Sequence, residues 1–246
     1  MSLFQKKSPP TDEESGELVE KRGFGLWFQI VTERFSPLFR VNLVTVLWLV
    51  PFFTSLGLFL RSWDAFSALL CALSFLLASP GICAMNYVCM KIVRRVPVWW
   101  WEDYKSSVKR EWKRAVPFSL IVVVPAFAYA FSLHGASAEL SLVQLVLYTA
   151  LAFFLIGFAA FGFQQLACVE LSFPNTLKNA VLLILAGGVR SLVAVLFAFV
   201  CVAAALIFYT VTPFVLLLGL FSVAVMSFDL IFLPAFENFF SEDKNG

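Results

Sequence analysis

Asp229 is an acid set inside a long apolar run, eight residues before Glu237, or about 12 Å along a helix that rises about 1.5 Å per residue. An ionisable side chain among lipid-facing residues is costly, and such groups mark proton relays and ion or substrate paths. Two quieter roles are open to it: pairing with Arg190, or reaching water at its end of the run. Gln164, Gln165 and Glu170 cluster near the end of another apolar run, and Asn42 and Asn86 stand near the ends of two more. Together with Asp229 and Arg190 these residues could converge on a polar cavity open to one side of a membrane. Hydrogen bonding between helices, about 0.6 kcal/mol per pair, accounts for the amides equally well.

Catalytic signatures do not support an enzyme. The sequence has no HExxH, no Gly-x-Ser-x-Gly and no phosphate loop. Its five cysteines (Cys71, Cys83, Cys89, Cys168 and Cys201) lie in apolar segments without a CxxC or Cys/His pattern, and read as small buried hydrophobes. The one histidine, His134, falls on a short connector, so no histidine cluster can bind a metal or haem within one chain. The expectation is a protein without catalytic residues, metal or cofactor.

The elements that must position these polar groups are membrane spans. The chain is 61% hydrophobic and 14% charged, with a mean hydropathy of +0.87, whereas soluble domains are about 45–50% apolar and about 25% charged. The expected fold is an all-α polytopic membrane helical bundle of six transmembrane helices with three short interfacial helices. Spans are placed at residues 41–60, within 66–93, at 116–133, within 140–169, at 191–212 and at 213–234; about 20 residues match a hydrocarbon core of about 30 Å. Pro51 and the Ser79-Pro80-Gly81 element fall inside the first two and predict kinks or locally re-satisfied backbone. Residues 1–22 read as a disordered polar tail, 23–236 as a single membrane domain and 237–246 as a second tail. A charged leader before the first span argues against a signal peptide.

Basic residues set the orientation. A block at residues 91–115 carries Lys91, Arg94, Arg95, Lys105, Lys109, Arg110, Lys113 and Arg114, and the six-span layout puts seventeen of eighteen basic residues on the side of the amino terminus. The positive-inside bias makes that side cytoplasmic, with both termini there. In the block Trp99, Trp100, Trp101, Tyr104 and Trp112 serve as membrane-interface anchors on one face, opposite basic residues suited to anionic headgroups. Residues 24–37 and 173–186 are the other interfacial helices, the latter capped by Ser172 or Asn175. Nucleic acid is not an expected partner, because the positive charge is already explained by its place beside spans. Arg40, Arg114 and Arg190 precede the odd spans at spacings of 74 and 76 residues. Either the fold repeats threefold, or any six-span chain with three basic segments on one side looks periodic.

Several short motifs carry a family likeness. They are RVNLVTVLW at residues 40–48 followed by Pro51 and Thr54, PGICAMNYVCMK at 80–91 with Ala84 and Tyr87, the helix from Trp101, Asp103 and Tyr104 to Trp112 and Ala115, and LKNA at 177–180. The chain resembles the YesL-like family of small bacterial membrane proteins, a domain of unknown function, with an apolar insertion at about residues 55–77 where many relatives are shorter. The resemblance implies the cytoplasmic membrane of a bacterium. It further implies a non-enzymatic accessory role in carbohydrate (ABC-type) uptake beside sugar-transporter subunits. The alternative is a small-solute transporter in its own right.

Overall fold

The computed structural model describes residues 24–136, 141–208 and 211–242, all helical apart from short connectors. The tail expected at 1–22 lies outside them. In order come α1 (Phe24–Glu33), α2 (Phe35–Ser62), α3 (Ala65–Val93), α4 (Trp100–Gly135), α5 (Leu142–Cys168), α6 (Phe173–Ala186), α7 (Gly188–Ile207), α8 (Thr212–Val215), a π-helical turn (Leu216–Leu220) and α9 (Phe221–Glu242). Among the described residues six helices are long and apolar enough to cross a membrane. The protein is an all-α polytopic membrane bundle, with α6 at the expected bounds. Helix α9 runs on through Glu242, so residues 237–242, expected as tail, continue the last helix.

Helix α3 is the pillar, packing on α2, α4, α5 and α9. From Ala78 to Val93 every residue but Tyr87 is buried, although the stretch includes Lys91. A helix apolar on all sides must be covered on all sides. Pro80 lacks the N–H that would bond the Leu76 carbonyl, and the Ser79 hydroxyl donates to that carbonyl at 2.8 Å instead. The helix passes through its proline without a break.

The central basic block does not form a separate interfacial helix. Residues 91–93 end α3, and residues 100–115 are the first part of α4, which runs unbroken through Pro117 and Pro125 for 36 residues. The reason is a single buried stripe, Tyr104, Ser107, Glu111, Ala115 and Phe118, which keeps helical spacing across the expected boundary. Tyr104 packs among Ala84, Met85 and Val88 of α3, and Ala115 and Phe118 among Ala78 and Cys83. Trp99, Trp101 and Trp112 are exposed, whereas Tyr104 is buried against α3. The anchor set expected to share one face is thus split between two.

The far end of the bundle is closed by local chemistry. Trp63, in the left-handed region at φ 51°, ends α2, and its ring stacks on His134 of α4 at 4.0 Å. Asp64 caps α3 by accepting from the Ser67 amide at 2.9 Å. Hydrogen bonding from Ser62 and from the Ser67 backbone lowers its carboxyl pKa to about 2. Ser141 and Gln144 form a capping box at the start of α5. Ser172 holds the N-cap position of α6 without a side-chain cap bond.

The order short helix, span, span occurs at α1–α3 and again from α6 to α9 but not at α4–α5, and the three arginines that suggested a repeat differ in setting. Arg40 lies over the Trp100 ring at 5.7 Å, Arg114 binds Glu111 and the Leu171 carbonyl, and Arg190 is exposed.

Close packing gives a direct test. A Cβ at Gly162 would run into the Phe118 ring, whereas one at Gly57 meets nothing within 4 Å. Gly162→Ala is expected to lower stability by about 1–3 kcal/mol through overpacking, and Gly57→Ala to leave it equal or slightly raised. Thermal melting of both variants in one detergent checks the contrast.

Candidate functional site

Two groups of buried polar side chains gather at the basic end of the bundle. The first is on α4. Glu111, 2% exposed, accepts from Arg110 Nε at 2.5 Å and from Arg114 Nη1 at 3.0 Å. The same arginines reach past it: Arg110 Nη2 donates to the Ala167 carbonyl at 3.3 Å and Arg114 Nη2 to the Leu171 carbonyl at 2.7 Å. These carbonyls lie at and just beyond the end of α5, where helical partners run out, and cations there also suit the helix dipole. Arg110 stacks over Tyr87 at 5.0 Å. Beside this cluster Lys91 pairs with Asp103 at 2.8 Å, and Arg94 with Glu237 at 3.2 Å. The cluster was not foreseen, although an acid flanked by Arg110 and Arg114 inside a basic run was a legible signal.

The second group holds Asp229. It is fully buried, and its Oδ1 accepts from Gln164 Nε2 at 2.7 Å, joining α9 to α5. Rings surround the pair, with Phe161 packed on Phe228 and Phe232. Gln165, also fully buried, donates Nε2 to the Phe161 carbonyl at 3.3 Å. Gln164 is one turn from Ala167, which Arg110 reaches. The pair therefore sits level with the arginine cluster, towards the basic edge of the apolar layer and away from its middle.

Of the residues expected to share a cavity, only Gln164 and Asp229 are bonded to each other. Asn42, fully buried, donates Nδ2 to the Leu216 carbonyl at 2.6 Å and accepts from the Ser222 amide at 3.0 Å. It supplies the bonds that the π-helical turn at Gly219 (φ 98°) takes from the backbone of the last span. Asn86 donates to Ile82 of its own helix at 2.8 Å. Glu170 and Arg190 are exposed, so Arg190 is not the partner of Asp229. That alternative required a buried arginine at the start of α7, whereas the α7 residue packed inward there is Ser191.

Among the described residues no group of three His, Cys, Asp or Glu side chains comes together. No family model, curated protein or solved structure matches the chain. The parts of the arrangement serve helix capping, charge pairing and the holding of one buried carboxyl.

Three variants separate these roles. Asn42→Leu strands a buried carbonyl and amide, at about 1–3 kcal/mol for each, and should lower the melting temperature far more than Asn86→Leu. A double-mutant cycle on Gln164→Leu and Asp229→Asn should give a coupling of about 1 kcal/mol. The cycle on Arg190→Gln and Asp229→Asn should be additive within about 0.3 kcal/mol.

Proposed function

We propose that this chain is a non-enzymatic subunit of a bacterial cytoplasmic membrane that assists a carbohydrate-uptake system, with both termini cytoplasmic. The observation that carries the reading is the surface left free on the first half of α4. Exposed Lys113 and exposed His134 bracket about 20 residues of that helix, or about 30 Å, which matches one hydrocarbon core. Residues 100–113 then project about 20 Å past its edge, while the headgroup layer is only about 5–8 Å deep. On this reading Trp112, Lys113 and Lys109, all exposed, reach anionic headgroups. Trp99 and Trp101, 76% and 47% exposed, stand beyond them with Lys105. Exposed tryptophans among basic side chains suit a protein partner, since Trp and Arg dominate interface energetics. The YesL-like resemblance supports a sugar-transporter subunit as that partner, and the basic residues gathered at one end support the orientation.

A second reading, a small-solute transporter in its own right, draws on Asp229 and Gln164 as a polar point between spans.

Affinity purification in a mild detergent tests the leading reading. Sugar-transporter permease or ATPase subunits should co-purify with the unmodified chain and be lost with Trp99→Ser plus Trp101→Ser, at unchanged expression. Their absence from the unmodified preparation would overturn it. Orientation is checked separately by labelling in a cysteine-free background: a cysteine at His134 should react in intact cells, and one at Lys105 only after permeabilisation.

A further inference from the structure

Among the described residues, Asp229 Oδ2 and Gln164 Oε1, on the two sides of the α5–α9 hydrogen bond, are buried without a hydrogen-bond partner, and so is Oε1 of the next residue, Gln165. All three side chains are fully buried. Their orientation is set by what they already bind. Gln164 must turn its NH2 to the Asp229 carboxyl and Gln165 its NH2 to the Phe161 carbonyl, which leaves the acceptor end of each amide over. Flipping either amide would place two acceptors against each other. The group is thus short of donors, in a place where an unmatched acceptor costs about 1–3 kcal/mol and an unmatched charge costs more. None of the four ion pairs among the described residues includes Asp229.

We propose that Asp229, with Gln164, is a binding site for one positive charge, carried by a proton or a small alkali cation. One carboxyl and one amide oxygen match a single charge and a hard ligand; a divalent ion would call for more carboxylates. The site goes beyond the accessory role and does not depend on it. Other titratable groups in electrostatic reach are Arg94 at the end of α3, Cys89 on α3 and Cys168 on α5. The remaining helices packed on α9 bring no counter-charge into bonding contact. Arg190 at the start of α7 is exposed, Glu33 of α1 is bonded to Gln29, and Arg40 of α2 lies over Trp100.

The test uses the full chain in lipid nanodiscs. Dicyclohexylcarbodiimide, which reacts with a protonated carboxyl in apolar surroundings, is mapped by peptide mass spectrometry at a series of pH values, with sodium or with choline chloride. Asp229 should be modified at low pH. A proton site predicts that labelling falls about tenfold for each pH unit above its titration point, whatever the salt. A cation site predicts a fall of about tenfold when sodium reaches about ten times its dissociation constant at fixed pH. In parallel, the melting temperature of the unmodified chain should respond to pH or to sodium, and that response should vanish in Asp229→Asn. Asp229 left unmodified at every pH, or modified without response to pH or sodium, overturns the proposal. Should Asp229→Asn fail to fold, the labelling of the unmodified chain decides alone.

Discussion

The covering of α3 is the constraint on which the structure depends. Its second half is buried on all sides, and a helix that long and apolar extends past one bilayer thickness, so neighbours must follow it beyond the lipid. Helix α4 does so by continuing unbroken through two prolines. Helix α1 does so by folding back, with Trp27 bonded to Ser227 of α9 at 2.8 Å and Ile30 packed among Leu38, Val41 and Val88. The charged layer follows from the same demand. Helices that end side by side outside the lipid present unpaired carbonyls and like charges, and Glu111, Asp103 and Glu237 answer them.

Span count and class were legible in the sequence because hydropathy reports the solvent of each segment, and α6 was legible because Ser172 and the Gly187-Gly188 pair punctuate it. The course of α4 was not. The stripe that packs on α3 contains Ser107 and Glu111, so apolar periodicity picked out the tryptophan face in its place and took Tyr104 for part of it. A polar residue can face a core when its partner travels with it, as Arg114 does for Glu111 one turn on. Residue types alone do not reveal that arrangement.

The candidate polar set shows the same limit from the other side. Asn42, Asn86, Gln164, Gln165 and Asp229 are all buried. Their grouping depended on helix neighbours that no spacing encodes. Asn42 faces the broken last span, because the π-helical turn frees one carbonyl and one amide there; Gln164 faces Asp229 because α5 and α9 meet through phenylalanines. The two exposed members, Glu170 on the connector after α5 and Arg190 in the first turn of α7, stand at the basic end, where water is the cheaper partner for a charge.

The central claim is that the basic block and the third span are one upright helix. Electron–electron distance measurement between nitroxides at Glu102 and Phe131, both exposed, addresses it most directly. A continuous α4 places the two backbones about 44 Å apart, at about 1.5 Å per residue. A block turned into the membrane plane near residue 115 would bring them to about 31 Å, and a distribution centred there would contradict the account.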